Sequence, residues 1–177
     1  MKSVVDQLAT YACYHRDRRN VITHFVGIPM IVIALLTLLS RPEFVLLGLP
    51  LTPALLVIIA ASIYYIVLDF KLGVLMAVLL ALCVWLASTF AAMNTAAWLF
   101  VGIGLFVVGW VFQFIGHAFE GRKPAFVDDL IGLAIGPLFV VAEALFLLGF
   151  RKHLYREVEE QVAQKLPLMP PVQKGKA

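Results

Sequence analysis

The longest uncharged stretch of the sequence runs from Leu72 to Phe119 and contains no Asp, Glu, Lys or Arg. About 20 apolar residues are enough to cross a bilayer as a helix, so this stretch is long enough to cross twice. Met93, Asn94 and Thr95 make the plausible turn between the two crossings. This feature predicts a polytopic membrane protein.

The composition of the whole chain agrees with a membrane location. Hydrophobic residues make up 62% and charged residues 14%, with a mean hydropathy of +0.95, whereas a soluble domain is roughly half apolar and about a quarter charged. The net charge of +3 comes from the flanking loops and the tail, which suits an anionic membrane surface better than nucleic acid. The sequence has no internal repeat or linker, so we predict one integral-membrane domain over residues 1–177.

An all-α bundle with four spanning helices is predicted from the apolar runs and the polar residues between them. The predicted spans are Val21–Leu39, Thr52–Leu68, Leu72–Ala92 and Ala96–Phe119. Asn20 is expected to be the N-cap of the first span. Before it, an apolar stripe with helical spacing predicts an interfacial helix within residues 1–19. The stripe consists of Val4, Leu8, Tyr11 and His15.

The last apolar stretch, Leu130–Phe150, is poor material for a simple span because Gly136 and Pro137 interrupt it and Glu143 lies near its middle. We therefore predict a broken or re-entrant hairpin over residues 128–150, which is tolerated at membrane depth where it packs inside protein. The membrane bundle would then cover residues 20–150, with a cytoplasmic tail over 151–177.

Basic residues give the orientation of this bundle. Arg16, Arg18 and Arg19 place the N-terminus in the cytoplasm by the positive-inside rule, and after four crossings Arg122 and Lys123 return to the same side. A fifth crossing would place the next basic residues outside, against the rule. The final hairpin therefore begins and ends on the cytoplasmic side, and an aspartate pair is expected to cap it. The pair is Asp128 and Asp129.

Five polar residues are predicted to meet at the cytoplasmic end of the bundle. Gln113, His117 and Glu120 lie at positions i, i+4 and i+7, so they share one helix face. His15 and His24 would point in opposite directions on a continuous helix, but the RDRRN break between them lets both turn inward. Ionisable groups in spans are costly, which makes them candidates for a functional site.

Several uses of these residues are compatible with the pattern. Imidazoles and carboxylates that converge from separate helices are how bundles build iron sites. A histidine near the membrane interface is also often only a hydrogen-bonded structural residue, and the same ligands can hold zinc in a hydrolase. A polar stripe beside a discontinuous helix also occurs in transporters and would suit an assembly protein.

Three blocks of the sequence resemble one known family. They are YACYHRDRRNVITHFVGIP, GWVFQFIGHAFEGRKPAFVDDL and GPLFVVAEALFLLGF. All three are similar to the fungal endoplasmic-reticulum 2-hydroxy fatty acid dioxygenase family, which has many bacterial members. The resemblance covers nearly the whole chain, while the middle spans match only as apolar sequence. It is specific because three blocks occur in order.

The resemblance implies an iron(II)-dependent enzyme of fatty acid α-oxidation. A 2-hydroxy fatty acid and dioxygen would give a fatty acid one carbon shorter, in the cytoplasmic membrane of a bacterium and among membrane lipids. The family's histidines fall on His15, His24 and His117, and we expect these to hold Fe²⁺. Oligomeric state is left open.

The remaining expected roles concern the polar residues beside the histidines. Glu120 is expected to be a further ligand or a partner that orients an imidazole. Gln113 would hydrogen-bond the 2-hydroxyl or bound oxygen, and Arg122 would pair with the substrate carboxylate or with Glu120. Glu143 matches an acidic position of the family, and its role is open.

Overall fold

The computed structural model describes residues 2–46, 48–122 and 130–169. This part of the chain is mostly helical, which confirms the all-α membrane bundle. Its helices are α1 (Val4–Ala12), α2 (Arg18–Leu39), α3 (Pro53–Leu68), α4 (Phe70–Ala91), α5 (Thr95–Glu120), α6 (Gly132–Leu147) and α7 (Lys152–Lys165). A short 3₁₀ turn, Leu166–Leu168, follows α7. The fold divides into two compact units, Met1–Val26 with Phe112–Ala177, and Gly27–Val111; the single domain stays a prediction.

Within the described ranges, three helices are long and apolar enough to cross a bilayer, namely α2, α4 and α5. Helix α3 is as apolar but has 16 residues, and α6 and α7 form a bent pair. The outward faces of the long helices carry large apolar side chains, and Trp85 and Phe100 are 68% and 81% exposed. Apolar faces of this extent are rare in water-soluble monomers but match lipid as a solvent. The chain is therefore a multi-pass membrane protein.

In the unit Gly27–Val111, α3 and α4 form a tight helical hairpin around Asp69. The Asp69 carboxylate accepts a hydrogen bond from the backbone N–H of Leu72 at 2.8 Å and so caps α4. Gly73 lies against the backbone of Ile66, where a Cβ would overlap it. Before α3, the strands β1 (Phe44–Leu46) and β2 (Leu49–Leu51) make a small antiparallel hairpin, which was not predicted from the sequence.

In the other unit, α1 packs against α6 and α7. Val4, Leu8 and Tyr11 of the predicted stripe are confirmed as part of the buried face of α1, while His15 lies just beyond the end of this helix. Helix α7 covers this face with three residues that are each four apart, Leu154, Val158 and Val162. Lys165 at the end of α7 bonds the carboxylate of Asp6 and, at 2.8 Å, the hydroxyl of Thr10. The residues predicted as a tail thus include a helix that is part of this unit.

The broken C-terminal helix pair is confirmed, but its break does not lie at Gly136 and Pro137, since α6 runs without interruption through both residues. The bend, of 117°, lies between α6 and α7. There Gly149 has φ +81°, and the backbone N–H groups of Gly149 and Phe150 donate to the carbonyls of Phe146 and Leu145 at 3.0 and 2.8 Å. This pattern is a Schellman motif, which ends a helix through a glycine with positive φ. Membrane helices tolerate an internal proline, so Pro137 was a poor signal.

The start of α2 differs from the predicted one. The N-cap prediction for Asn20 is wrong because α2 begins at Arg18 and Asn20 lies inside its first turn. Asp17 lies just before this helix, and its carboxylate accepts from the backbone N–H of Arg19 at 2.8 Å. The other predicted caps, Asp128 and Asp129, lie outside the described residues.

Candidate metal centre

Three helical ends bring the predicted histidines together. His15 lies on the short connection between α1 and α2, His24 in the second turn of α2, and His117 in the last turn of α5. Each offers a ring nitrogen, and these nitrogens all lie within 4.8 Å of one another. All three side chains are buried. Among the described residues, no other group of histidine, cysteine or acidic side chains meets this condition.

The close approach of α2 and α5 at this point depends on Gly116. A Cβ on Gly116 would overlap the side chains of Asn20 and Thr23. Since Gly116 immediately precedes His117, the glycine lets α5 bring that imidazole up to the imidazoles of His15 and His24. The stacked ring of Tyr11, whose centroid is 4.1 Å from that of His15, supports the connection from α1.

The hydrogen bonds of two of the histidines fix which nitrogen carries the proton. His15 Nδ1 lies 2.7 Å from the carbonyl oxygen of Tyr11, and His24 Nδ1 lies 2.9 Å from that of Asn20. A carbonyl can only accept, so both Nδ1 atoms must donate, and a neutral imidazole has a single N–H. Both Nε2 atoms therefore carry lone pairs. They face each other at 3.0 Å.

Two facing lone pairs at this distance repel unless a cation or a proton lies between them. Burial, and then the neighbouring His24, hold the pKa of His15 well below its ordinary value, which disfavours a proton. A metal ion removes the repulsion, because neutral imidazole nitrogens are among the commonest metal ligands. The donor set fits a metal centre.

Two buried nitrogens of the α5 face that carries His117 have no hydrogen-bond partner among the described residues. They are Nδ1 of His117 and the amide Nε2 of Gln113. Buried polar atoms are almost always paired, so an unpaired one calls for an explanation such as an ion or a ligand. Gln113 lies one turn before His117 on α5, as the i, i+4 spacing predicted. Its role toward a substrate or oxygen stays a prediction.

Both carboxylate oxygens of Glu120 accept hydrogen bonds, and two of these bonds come from the backbone of the connection that carries His15. One carboxylate oxygen accepts from the backbone N–H of Arg16 at 3.0 Å, and the other accepts from the N–H of Asp17 at 2.8 Å and from the side-chain amide of Asn20 at 3.1 Å. Glu120 lies outside the histidine group. These bonds are those expected of an orienting residue, and the choice between the orienting role and the ligand role of Glu120 stays a prediction.

Asn20 is the residue that sequence reasoning missed. Its side chain binds Glu120, while its backbone carbonyl accepts from His24 Nδ1. A carboxylate on α5 is thereby linked through Asn20 to an imidazole on α2. Such partners fix the tautomer and direction of a metal-binding histidine. The sequence signal for this role of Asn20 was its i, i+4 spacing from His24, which is one helical turn.

The histidine cluster does not include Arg122, His153 or Glu143. Arg122 is half-buried, directly before the undescribed segment, and its role toward a substrate stays a prediction. His153 is exposed on α7, with Nδ1 3.2 Å from Glu157, so it does not join the cluster. Glu143 lies on α6 and lines a cavity that also contains His15 and Arg16.

The chain matches a known family over most of its length. A sequence profile of the family described as "2-hydroxy-palmitic acid dioxygenase Mpo1-like" matches residues 1–148. The chain belongs to this family. The Mpo1-like match includes all three clustered histidines, Gln113 and Glu120, and it ends before α7 begins.

A curated protein of the same kind is similar over most of both chains. The "2-hydroxy-palmitic acid dioxygenase MPO1" of Saccharomyces cerevisiae is 35% identical over 161 residues, which are 90% of this chain and 89% of the yeast protein. No solved structure matches this chain. The family expected from the three sequence blocks is therefore confirmed.

Proposed function

We propose that this protein is an iron(II)-dependent membrane dioxygenase that converts a 2-hydroxy fatty acid and dioxygen to a fatty acid one carbon shorter. The substrate class is that named for the yeast relative. The single observation that carries the metal assignment is the pair of imidazole lone pairs facing each other at 3.0 Å beside a third buried histidine. Iron is chosen over zinc because the proposed reaction consumes dioxygen.

The proposed reaction is balanced without an external reductant. A 2-hydroxy acid and dioxygen give the shorter acid, carbon dioxide and water, so the substrate supplies all the electrons that reduce dioxygen. A bound iron(II) would supply open coordination positions for dioxygen and for the chelating 2-hydroxy carboxylate. A single small membrane chain would therefore need no separate electron donor for this reaction.

The residues of the chain have distinct parts in this proposal. His15, His24 and His117 hold the iron, and Glu120 acts through Asn20 to keep His24 in the tautomer that presents Nε2. The buried amide of Gln113 donates to an oxygen of the substrate or of dioxygen. Arg122 is kept as a candidate partner of the substrate carboxylate or of Glu120.

The membrane and its orientation are further parts of the proposal. We place the protein in the inner membrane of a bacterium as one domain, with its N-terminus and metal centre on the cytoplasmic side. The support is the positive-inside pattern, with Arg16, Arg18 and Arg19 just before the first span. A protease or tag assay that placed the C-terminus on the opposite side from the N-terminus would contradict this arrangement.

The activity is tested with membranes that contain the protein and a 2-hydroxypalmitic acid labelled at the methyl end. We expect the acid one carbon shorter when iron(II) and dioxygen are both present, and none when either is removed. The matched control is His117→Ala, which removes one proposed ligand. No shortened product from the wild-type protein would reject the enzyme proposal and leave the transporter or assembly role.

A further inference from the structure

A cavity of about 500 Å³ opens beside the histidine cluster, in the unit that contains α1, α6 and α7. His15 forms part of its wall, so a molecule in the cavity would lie next to the candidate metal centre. Ligand pockets in proteins are typically about 300–1,000 Å³. The cavity is therefore large enough for a substantial part of a small ligand.

One wall of this cavity is apolar and continuous with the outer surface of α2. Val21, Phe25 and Val26 of α2 line it together with Leu147 of α6. Ile22 is also in the wall, and its side chain is 53% exposed. Since the exposed apolar face of a membrane helix meets lipid, this wall offers an acyl chain a path from the bilayer.

Charged side chains also line the cavity, and its two arginines differ in their partners. Arg16 is held by both oxygens of Glu159, at 2.9 and 3.2 Å. Arg19, outside the cavity, is similarly held by Asp17. Arg18 lines the cavity and has no ion pair or side-chain hydrogen bond to any of the described residues. Among the described residues of the cavity wall, it is thus the cation that remains for an incoming anion.

Glu143 restricts where an anion can lie in the cavity. It is on α6, and in its ionised form it would repel a carboxylate placed beside it. The positive charge of Arg16 is already neutralised by Glu159. The favourable position for an anionic head group is therefore on the α2 side, near Arg18.

We propose that this cavity binds the acyl chain of a 2-hydroxy fatty acid along Val21, Phe25 and Leu147, and that Arg18 pairs with its carboxylate. The inference rests on the proposed function for the identity of the ligand. In this arrangement Arg18 binds the carboxylate, and Glu120 is the candidate partner that remains for Arg122. Arginine and a carboxylate form two parallel hydrogen bonds, which also orients the ligand.

The test compares an acid with a neutral ligand of the same chain length. Binding of 2-hydroxypalmitic acid and of 1,2-hexadecanediol is measured by displacement of a fluorescent fatty acid from the full-length protein in lipid nanodiscs, without dioxygen. We expect Arg18→Gln to weaken binding of the acid by about tenfold and to leave the diol unchanged. The matched control, Arg19→Gln, should change neither, and all variants should keep the wild-type metal content.

Two companion measurements locate the ligand and check the sign of the charge effect. Glu143→Gln should strengthen binding of the acid relative to the diol, since a like charge is removed. A 2-hydroxy fatty acid with a diazirine in its chain should label residues 21–26 or Leu147. An unchanged acid-to-diol ratio in Arg18→Gln, or an acid-selective loss in Arg122→Gln instead, would overturn the assignment of Arg18.

The inference and the proposed function can fail separately. Acid-selective binding that depends on Arg18, in a protein without iron or turnover, would support the cavity and reject the enzyme. Normal turnover in a protein whose photolabel falls outside residues 21–26 and Leu147 would reject the cavity and retain the enzyme.

Discussion

The Nε2 atoms of His15 and His24 lie 3.0 Å apart, while each ring donates its Nδ1–H to the backbone carbonyl of the residue four positions earlier. Tyr11 provides this carbonyl for His15 and Asn20 provides it for His24. Both imidazoles thus present a lone pair to the same point, where His117 is also within reach. The backbone carbonyls of two helices, and not only the choice of side chains, therefore direct both Nε2 lone pairs toward the point where a cation could bind.

The pKa of His15 gives a prediction for the protein after metal removal with a chelator. Because burial and His24 hold this pKa well below its ordinary value, the folded protein stays neutral at His15 while the unfolded chain gains a proton below about pH 6.5. Stability should therefore fall with acidification, and His15 should contribute about 1 kcal/mol to this fall for each pH unit below 6.5. Thermal unfolding in detergent between pH 7.5 and 5.5 measures this slope.

Two variants separate His15 from other groups in that experiment. His15→Gln should reduce the slope, whereas His153→Gln should leave it unchanged because His153 is exposed. A wild-type slope of zero, or a rise in stability with acidification, would contradict the neutral state of the buried imidazole.

Glu120→Gln tests the orienting role of this carboxylate. All three of its hydrogen-bond partners are N–H donors, so an amide nitrogen would face a donor and leave it unsatisfied. We expect a loss of about 1–3 kcal/mol in stability and about 10- to 100-fold in metal affinity. Glu157→Gln on the exposed face of α7 is the matched control.

X-ray absorption distinguishes orientation from ligation at Glu120. If Glu120 only orients, the metal retained by Glu120→Gln at saturating iron has the same oxygen ligands as in the wild type. A lost oxygen ligand would make Glu120 a member of the coordination sphere. Unchanged affinity and stability would exclude both roles.

Gly149→Ala tests the bend between α6 and α7. Gly149 has φ +81°, and a Cβ added to it would meet no neighbouring atom closer than 4.0 Å, so the cost comes from the backbone alone. We expect a loss of about 1–2 kcal/mol. Gly104 is the matched control, because it is helical and has open space around it, and its change to Ala should not destabilise. Equal unfolding temperatures for the two variants would contradict the role of Gly149.

The sequence predicted the fold to the extent that apolar length and periodicity determine it. The four predicted spans correspond to α2, α3, α4 and α5, because uncharged runs of this length have few alternatives to a helix. The stripe on α1 also matched, as burial follows the helical period. The bend after α6 was misplaced because proline was taken as the signal for it, whereas the glycine at Gly149 adopts the conformation that ends the helix.

The histidines of the candidate site were visible in the sequence, but their supporting bonds were not. Gln113, His117 and Glu120 share a helix face by spacing alone, and the break before α2 indicated that His15 and His24 could converge. The link from Glu120 through Asn20 to His24 depends on how two helices pack at Gly116, which spacing does not report. The cavity beside Arg18 likewise needs α6 and α7 to be in place.

The most direct test of the central claim is the metal content of the purified protein, measured together with that of His24→Ala and His153→Ala. We expect one equivalent of iron bound through nitrogen ligands in the wild type and in His153→Ala, and a loss of that iron in His24→Ala. A wild-type protein that binds no metal after reconstitution with iron(II), or a His24→Ala variant with undiminished iron, would contradict the proposed metal centre.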